Sequence, residues 1–178
     1  SVPARSALTR PRSPGAGRRP SGGSVTFTSC RGSVEGARSA VVLKVGDVAP
    51  DFTLTDQHGR SASLSAQVGP VLIVFFPAAF TPVCHDELRA LRDLAGHACV
   101  WGVSCDSMFV LRALDDAEGL DFPLLSDFWP HGEVARAYGA LDEERGTARR
   151  LSFLVDREGR IAARPPAGRM HNSNYLWP

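Results

Sequence analysis

The chain has no apolar run approaching the roughly 18 residues that cross a bilayer, and its amino-terminal stretch carries no apolar segment of the kind a secretory signal needs. A soluble core is expected. Cysteine is scarce: Cys30, Cys84, Cys99 and Cys105 are the four, without the spacing of a disulfide scaffold, which fits a reducing compartment such as the cytoplasm. Cys-x-x-Cys, His-Glu-x-x-His, P-loop and dinucleotide glycine patterns are also missing. His58 and His131 have no partners at metal-ligand spacing, so no metal, nucleotide or other cofactor is implied.

Acidic residues are nearly absent from the first forty. There seven arginines stand against the single acid Glu35 among Ser, Gly and Pro, a composition that cannot bury enough apolar surface to fold. Residues 1–40, with Cys30, are read as a disordered arm. Its formal charge of +6, taken from an overall +1, leaves −5 for residues 41–178, and nothing in that mildly acidic remainder points to nucleic acid. An Arg- and Ser-rich, acid-poor arm resembles an organelle transit peptide. The reading favoured over that is a start placed too far upstream, with Val41 or Val42 as the beginning proper.

What is present is enough for one ordinary domain: 178 residues with 43% hydrophobic content can build a core. Val48 to Leu54 reads as an extended entry, Asp56-Gln-His-Gly59 as a turn, and Ser61 to Leu64 as a return strand. Val71-Leu-Ile-Val-Phe-Phe76 is apolar without alternation, the pattern of a parallel strand covered on both faces. The period then turns helical, with Leu88, Leu91, Leu94 and Ala95 on one face, Thr81-Pro82 as N-cap and first residue, and Gly96 as the stop. Cys99 to Ser104 is a second apolar strand, followed by a helix capped at Asp106 or Ser107 that runs to about Glu118 and ends at Gly119. Phe122 to Leu125 predicts a short strand, Val134 to Tyr138 a helix closed by Gly139, and Leu151 to Val155 a strand turning through Asp156-Arg-Glu-Gly159 into Arg160 to Ala163. Alternating strands and helices finished by a hairpin predict an α/β fold with a central mixed β-sheet flanked by helices, its active site at the carboxyl ends of the parallel strands.

Cys84 follows such an end. In the first turn of a helix a thiol meets unpaired backbone N–H groups and the positive end of the helix dipole, and both favour the thiolate. His85 does not make a Cys–His pair with it, because adjacent helical positions diverge by about 100°.

Pro77, Thr81 and Cys84 match the Pro-x-x-x-Thr-x-x-Cys signature, so the chain resembles the peroxiredoxins, peroxidases with the thioredoxin-like fold. Phe122-Pro-Leu-Leu-Ser-Asp-Phe-Trp-Pro-His-Gly132, with Val134 and Ala137-Tyr-Gly139, narrows the resemblance to the alkyl hydroperoxide reductase E group; it covers residues 43–163. The resemblance implies a fourth site residue, an Arg entering the strand before Phe153-Leu-Val-Asp156, and Arg150 stands there; Arg149 would point to the opposite face. It implies a peroxide substrate (hydrogen peroxide, an organic hydroperoxide or peroxynitrite), a sulfenic acid on Cys84, and recycling by an external thiol, mycothiol with mycoredoxin or thioredoxin. It also implies a homodimer, for which the Phe128-Trp129-Pro130 region is a candidate.

The residue types suit that chemistry. Arg150 can hold the thiolate and donate to the peroxide oxygens, Thr81 can orient the peroxide, Pro77 can exclude water without competing for hydrogen bonds, and Glu87 can anchor Arg150. Taken singly, Cys84 is an inert helix cysteine, Thr81 an N-cap and Arg150 a surface ion pair; together they favour the peroxidase. Cys99 is expected in the core. Cys105 follows a strand end, expected on the same side of the sheet as Cys84, and is either core or a resolving thiol; the resemblance implies an external thiol, since Arg89 occupies one of the family's common resolving positions. A thiol–disulfide oxidoreductase would carry a second cysteine where Thr81 stands. A noncatalytic thioredoxin-like binding module or holdase is the remaining alternative, kept open by the carboxyl end. Arg164 to Pro178 has two adjacent prolines and no helical period, so residues 164–178 read as an irregular tail and the family's final helix as missing. Leu151, where the family usually has a smaller residue, is expected to crowd the strand beside Arg150.

Overall fold

The computed structural model describes residues 43–95 and 99–166, with the side chains of residues 82–86 and 93–94 outside that description. The expected arm, Gly96 and the tail beyond residue 166 also lie outside the described residues, and with them the expectation about a final helix.

The first strands, β1 (Thr53–Asp56) and β2 (Ser61–Ser63), form an antiparallel hairpin whose turn is closed by Gly59, with φ +81°, donating to Asp56 O at 3.0 Å. A short 3-10 turn, Leu64–Ala66, leads to β3 (Val71–Phe75), and α1 (Pro82–Ala95) follows. Next come β4 (Cys99–Ser104), α2 (Met108–Glu118), β5 (Leu124–Ser126) and α3 (Glu133–Ala137). The two-residue strands β6 (Leu141–Asp142) and β7 (Thr147–Ala148) pair with each other, and β8 (Leu151–Val155) and β9 (Ile161–Ala163) close the order.

Among the described residues, seven strands form one mixed sheet in the order β2-β1-β5-β4-β3-β8-β9. The three inner strands β3, β4 and β5 run parallel, while β8 lies antiparallel to β3 with Leu151 opposite Phe75. The unbroken apolar run of β3 follows from its place: Ile73 and Phe75 enter one core layer with Phe52, Trp101, Tyr138 and Phe153, and Leu72 and Val74 enter the other with Leu88, Leu91, Leu111 and Leu124. Both faces are dry, and each such side chain contributes about 1.5–3 kcal/mol by leaving water. The helix α1 therefore covers one face, and the aromatic cluster around Tyr138 the other.

Helix ends match their residue types. Gly119 takes φ +58° at the end of α2 and donates to Asp115 O at 2.7 Å, a left-handed cap that a residue with a Cβ adopts at a penalty. Ser107 is the N-cap of α2 without a side-chain bond, its carbonyl accepting the Val110 and Leu111 N–H groups at 3.0 and 3.1 Å. The expected strand 122–125 begins instead at Leu124, where Gln57 Oε1 accepts the Leu124 N–H at 2.8 Å; the expected helix 134–138 is shifted one residue earlier. Cys99, expected in the core, stands exposed at the entry of β4, because the inward-facing run starts one residue later at Val100. Among the described residues no helix is long and apolar enough to cross a membrane.

Candidate active site

The parallel strand β3 ends at Phe75 and hands the chain to a six-residue connection, 76–81, before α1 begins at Pro82. That connection is tied at several points. Phe76 N–H donates to Val103 O at 3.0 Å, Ala79 N–H to Asp106 Oδ2 at 2.8 Å, and the Thr81 hydroxyl to Ala78 O at 3.3 Å. Pro77 and Thr81 are half-buried; Phe80 is about half exposed and takes φ +59°, the left-handed region that a bulky side chain adopts only under constraint.

Cys84 is the third residue of α1, within the first turn, where backbone N–H groups have no partner inside the helix and the dipole is positive. One turn on, Glu87 is buried, and its Oε2 accepts from Arg150 Nη1 at 2.6 Å. Glu87 stands three positions after Cys84 in the same helix. Arg150 reaches it because β8 runs antiparallel to β3: its entry, one residue before Leu151, stands beside the exit of β3. Arg149 is exposed, with its backbone N–H on Ala140 O at 2.6 Å, and it is the Arg150 guanidinium that reaches Glu87 on α1. A cation held by a carboxylate next to a helix amino terminus is a device for fixing an anion.

Cys105 is not arranged for that chemistry. It is 7% exposed and packs in the Phe75–Tyr138 layer with Ala135, Leu141 and Ala148, whereas α1 packs on the opposite layer. Burial first, and then the nearby Asp127 carboxylate, push its thiol from 9.0 up to about 11, so little of it is thiolate at neutral pH. Of its two readings the geometry supports the core one.

The histidines have local partners. His58 Nε2 is 3.4 Å from Asp115 Oδ2, and His131 Nε2 is 2.7 Å from Gly146 O. Beyond the loop, Phe128 and Trp129 are exposed, Trp129 at 81%, beside a shallow cleft bordered by Pro50, Glu133 and Tyr138.

Sequence reasoning found the Arg150–Glu87 pairing and missed the corner built by Ser104, Asp106 and Ser126, where Asp106 was considered only as a helix cap. Its signal is Ser-x-Asp directly after the end of a parallel strand.

A family model described as AhpC/TSA matches residues 45–164. The chain is 43% identical over 127 residues to alkyl hydroperoxide reductase E of Mycobacterium tuberculosis, covering 67% of this chain and 83% of that one. It is 36% identical over 132 residues to peroxiredoxin Bcp of Escherichia coli, again covering 67% and 83%. Among solved structures, peroxidoxin BcpB from Mycobacterium tuberculosis superposes with a TM-score of 0.65 at 32% identity, covering 72% of this chain and 90% of that one. AhpC of the same organism gives 0.62 at 27% identity, covering 71% and 89%.

Proposed function

The chain belongs to the AhpC/TSA family of peroxiredoxins and is a thiol-dependent peroxidase, and from that premise we propose that Cys84 is the sulfur that attacks the peroxide. The observation that carries this reading is the Arg150–Glu87 pair, 2.6 Å long, seated on the helix whose first turn holds Cys84.

In the reaction the Cys84 thiolate donates an electron pair to the nearer peroxide oxygen, an S–O bond forms, and the O–O bond breaks. The farther oxygen leaves as alkoxide or hydroxide and takes up a proton, so the peroxide is reduced to an alcohol or water and the sulfur is oxidised to a sulfenic acid. Negative charge moves from sulfur to the leaving oxygen. Arg150 answers that movement by donating to the oxygens, with Glu87 fixing its guanidinium, and the backbone N–H groups at the start of α1 add further donors. The Thr81 hydroxyl orients the peroxide, and Pro77, which has no N–H, shields the site from water.

A peroxide and a thiol reductant are the two partners of the cycle. The reductant is an external thiol, mycothiol with mycoredoxin or thioredoxin: it attacks the sulfenic acid, water leaves, and a second thiol cleaves the mixed disulfide. The burial of Cys105 and the upward shift of its thiol favour this route over internal resolution. The protein works in the cytoplasm as a homodimer, joined through the exposed Phe128 and Trp129.

Peptide mapping of the reduced protein within seconds of adding one equivalent of peroxide, with a Cys84→Ser control, tests the reading. Sulfenic acid confined to Cys84 is the expected result. An unmodified Cys84 in folded protein refutes it, and a Cys84–Cys105 disulfide refutes external resolution.

A further inference from the structure

We propose that Asp106 is a positioning residue for the peroxide reaction, holding the 76–81 connection in the one conformation that presents the Thr81 hydroxyl; this rests on the assignment of Cys84 above. Its carboxylate Oδ2 accepts the Ala79 N–H at 2.8 Å and the Ser104 hydroxyl at 3.0 Å. Two further bonds then lock Asp106 itself into the sheet. Its own N–H donates to Ser104 Oγ at 3.1 Å, its carbonyl accepts from Ser126 Oγ at 2.6 Å, and Ser104 is fully buried at the end of β4. The carboxyl ends of β4 and β5 therefore grip the connection that leaves β3.

What the grip maintains is visible one residue later. Phe80 keeps φ +59°, and a bulky residue stays there only when its surroundings over-determine it. The Ala79 bond is the constraint immediately before it, and it is charge-assisted, hence stronger than an amide–carbonyl bond. Without it Phe80 relaxes toward the common regions of backbone space and Thr81 is re-aimed. Arg150 and Glu87 are held elsewhere, by the entry of β8 and the second turn of α1, so the groups that stabilise a thiolate stay in place. Peroxide positioning and thiolate formation are thereby separable, which a merely structural role for Asp106 does not predict.

The test compares Asp106→Ala and Asp106→Asn with the parent, measuring the second-order rate of peroxide reduction and the pH midpoint of Cys84 alkylation, with circular dichroism to verify folding. Loss of positioning predicts a fall on the order of 10- to 100-fold for Asp106→Ala with an unmoved alkylation midpoint, and recovery to within about threefold for Asp106→Asn, whose amide oxygen still accepts both bonds. A parental rate in folded Asp106→Ala overturns the proposal, as does a shifted midpoint that accounts for the whole loss. If Asp106→Ala does not fold, Ser104→Ala, which removes one hold on the carboxylate, replaces it; a several-fold loss is expected, and a parental rate overturns the proposal. The parent separates the two readings. No Cys84 oxidation in the parent refutes both, whereas oxidation at the same rate in parent and variant refutes the role of Asp106 alone.

Discussion

Substituting Arg150 by Ala is expected to cost more stability than substituting Glu87 by Gln, although both break the same ion pair. The Glu87 side chain is 5% exposed and that of Arg150 28%, with 2.6 Å between Oε2 and Nη1. Removing the charge of Glu87 leaves a guanidinium that water already reaches, so the loss is the net value of a hydrogen bond to a charged partner discounted for screening, about 1–2 kcal/mol. Removing Arg150 takes away the cation that a buried carboxylate faces. Breaking a buried pair from that side costs about 3–5 kcal/mol, and the partial exposure of Arg150 sets the expectation near the lower bound, about 3 kcal/mol. At about 4 °C per kcal/mol for a domain of this size, thermal midpoints fall by about 4–8 °C for Glu87→Gln and about 12 °C for Arg150→Ala. The double variant should lose at least about 1 kcal/mol less than the sum of the two, because both substitutions remove the same contact and the double variant loses it once. Thermal unfolding followed by circular dichroism on all four proteins supplies the cycle. Additive losses, or an Arg150→Ala loss no larger than that of Glu87→Gln, refute the reasoning.

The raised Cys105 thiol carries a pH dependence. Below 9.0 it is protonated in the folded and the unfolded chain alike; between 9.0 and about 11 the unfolded chain releases a proton that the folded one keeps, so stability falls as pH rises through that window. Cys105→Ser should flatten this slope in urea titrations, and an unchanged slope would count against the assigned burial. Gly132→Ala should lose about 3 kcal/mol, because a Cβ there meets Leu141 Cδ1 at 2.6 Å and the backbone sits at φ +64°; a urea midpoint within error of the parent would contradict this. Ser152→Ala should gain about 1 kcal/mol, since the Ser152 hydroxyl is buried in β8 without a hydrogen-bond partner among the described residues. A destabilised variant would point to an unseen partner for that hydroxyl.

The elements legible in the sequence were those whose side chains carry a long, single-minded pattern. The run 71–76, the stretch 99–104 and the run 151–155 face apolar layers on both sides, and their ends fell within a residue of the strands observed. Leu88 and Leu91 announced α1, and Gly119 marked the end of α2. The β6–β7 pair was invisible because two residues per strand are too few to establish a period. Cys99 misled for a related reason: an apolar stretch says that a strand is buried, not which of its residues is the first to leave water. The Glu87–Arg150 contact was legible as residue types in a known spacing, and the structure contains it. Asp106 was not, since its bond to Ala79 spans 27 residues and depends on two strand ends meeting at one corner.

The antiparallel pairing of β8 with β3 sets an order of events as the chain emerges from the ribosome. Cys84 is synthesised 66 residues ahead of Arg150, and until β8 docks against β3 the Arg150 guanidinium is not at Glu87. On the role proposed for Cys84, a nascent or half-assembled chain therefore has the helix amino terminus to favour the thiolate but not yet Arg150. Full reactivity in that proposed role waits for the strand that brings Arg150, so the speed with which a peptide is labelled at Cys84 is a built-in clock for native topology.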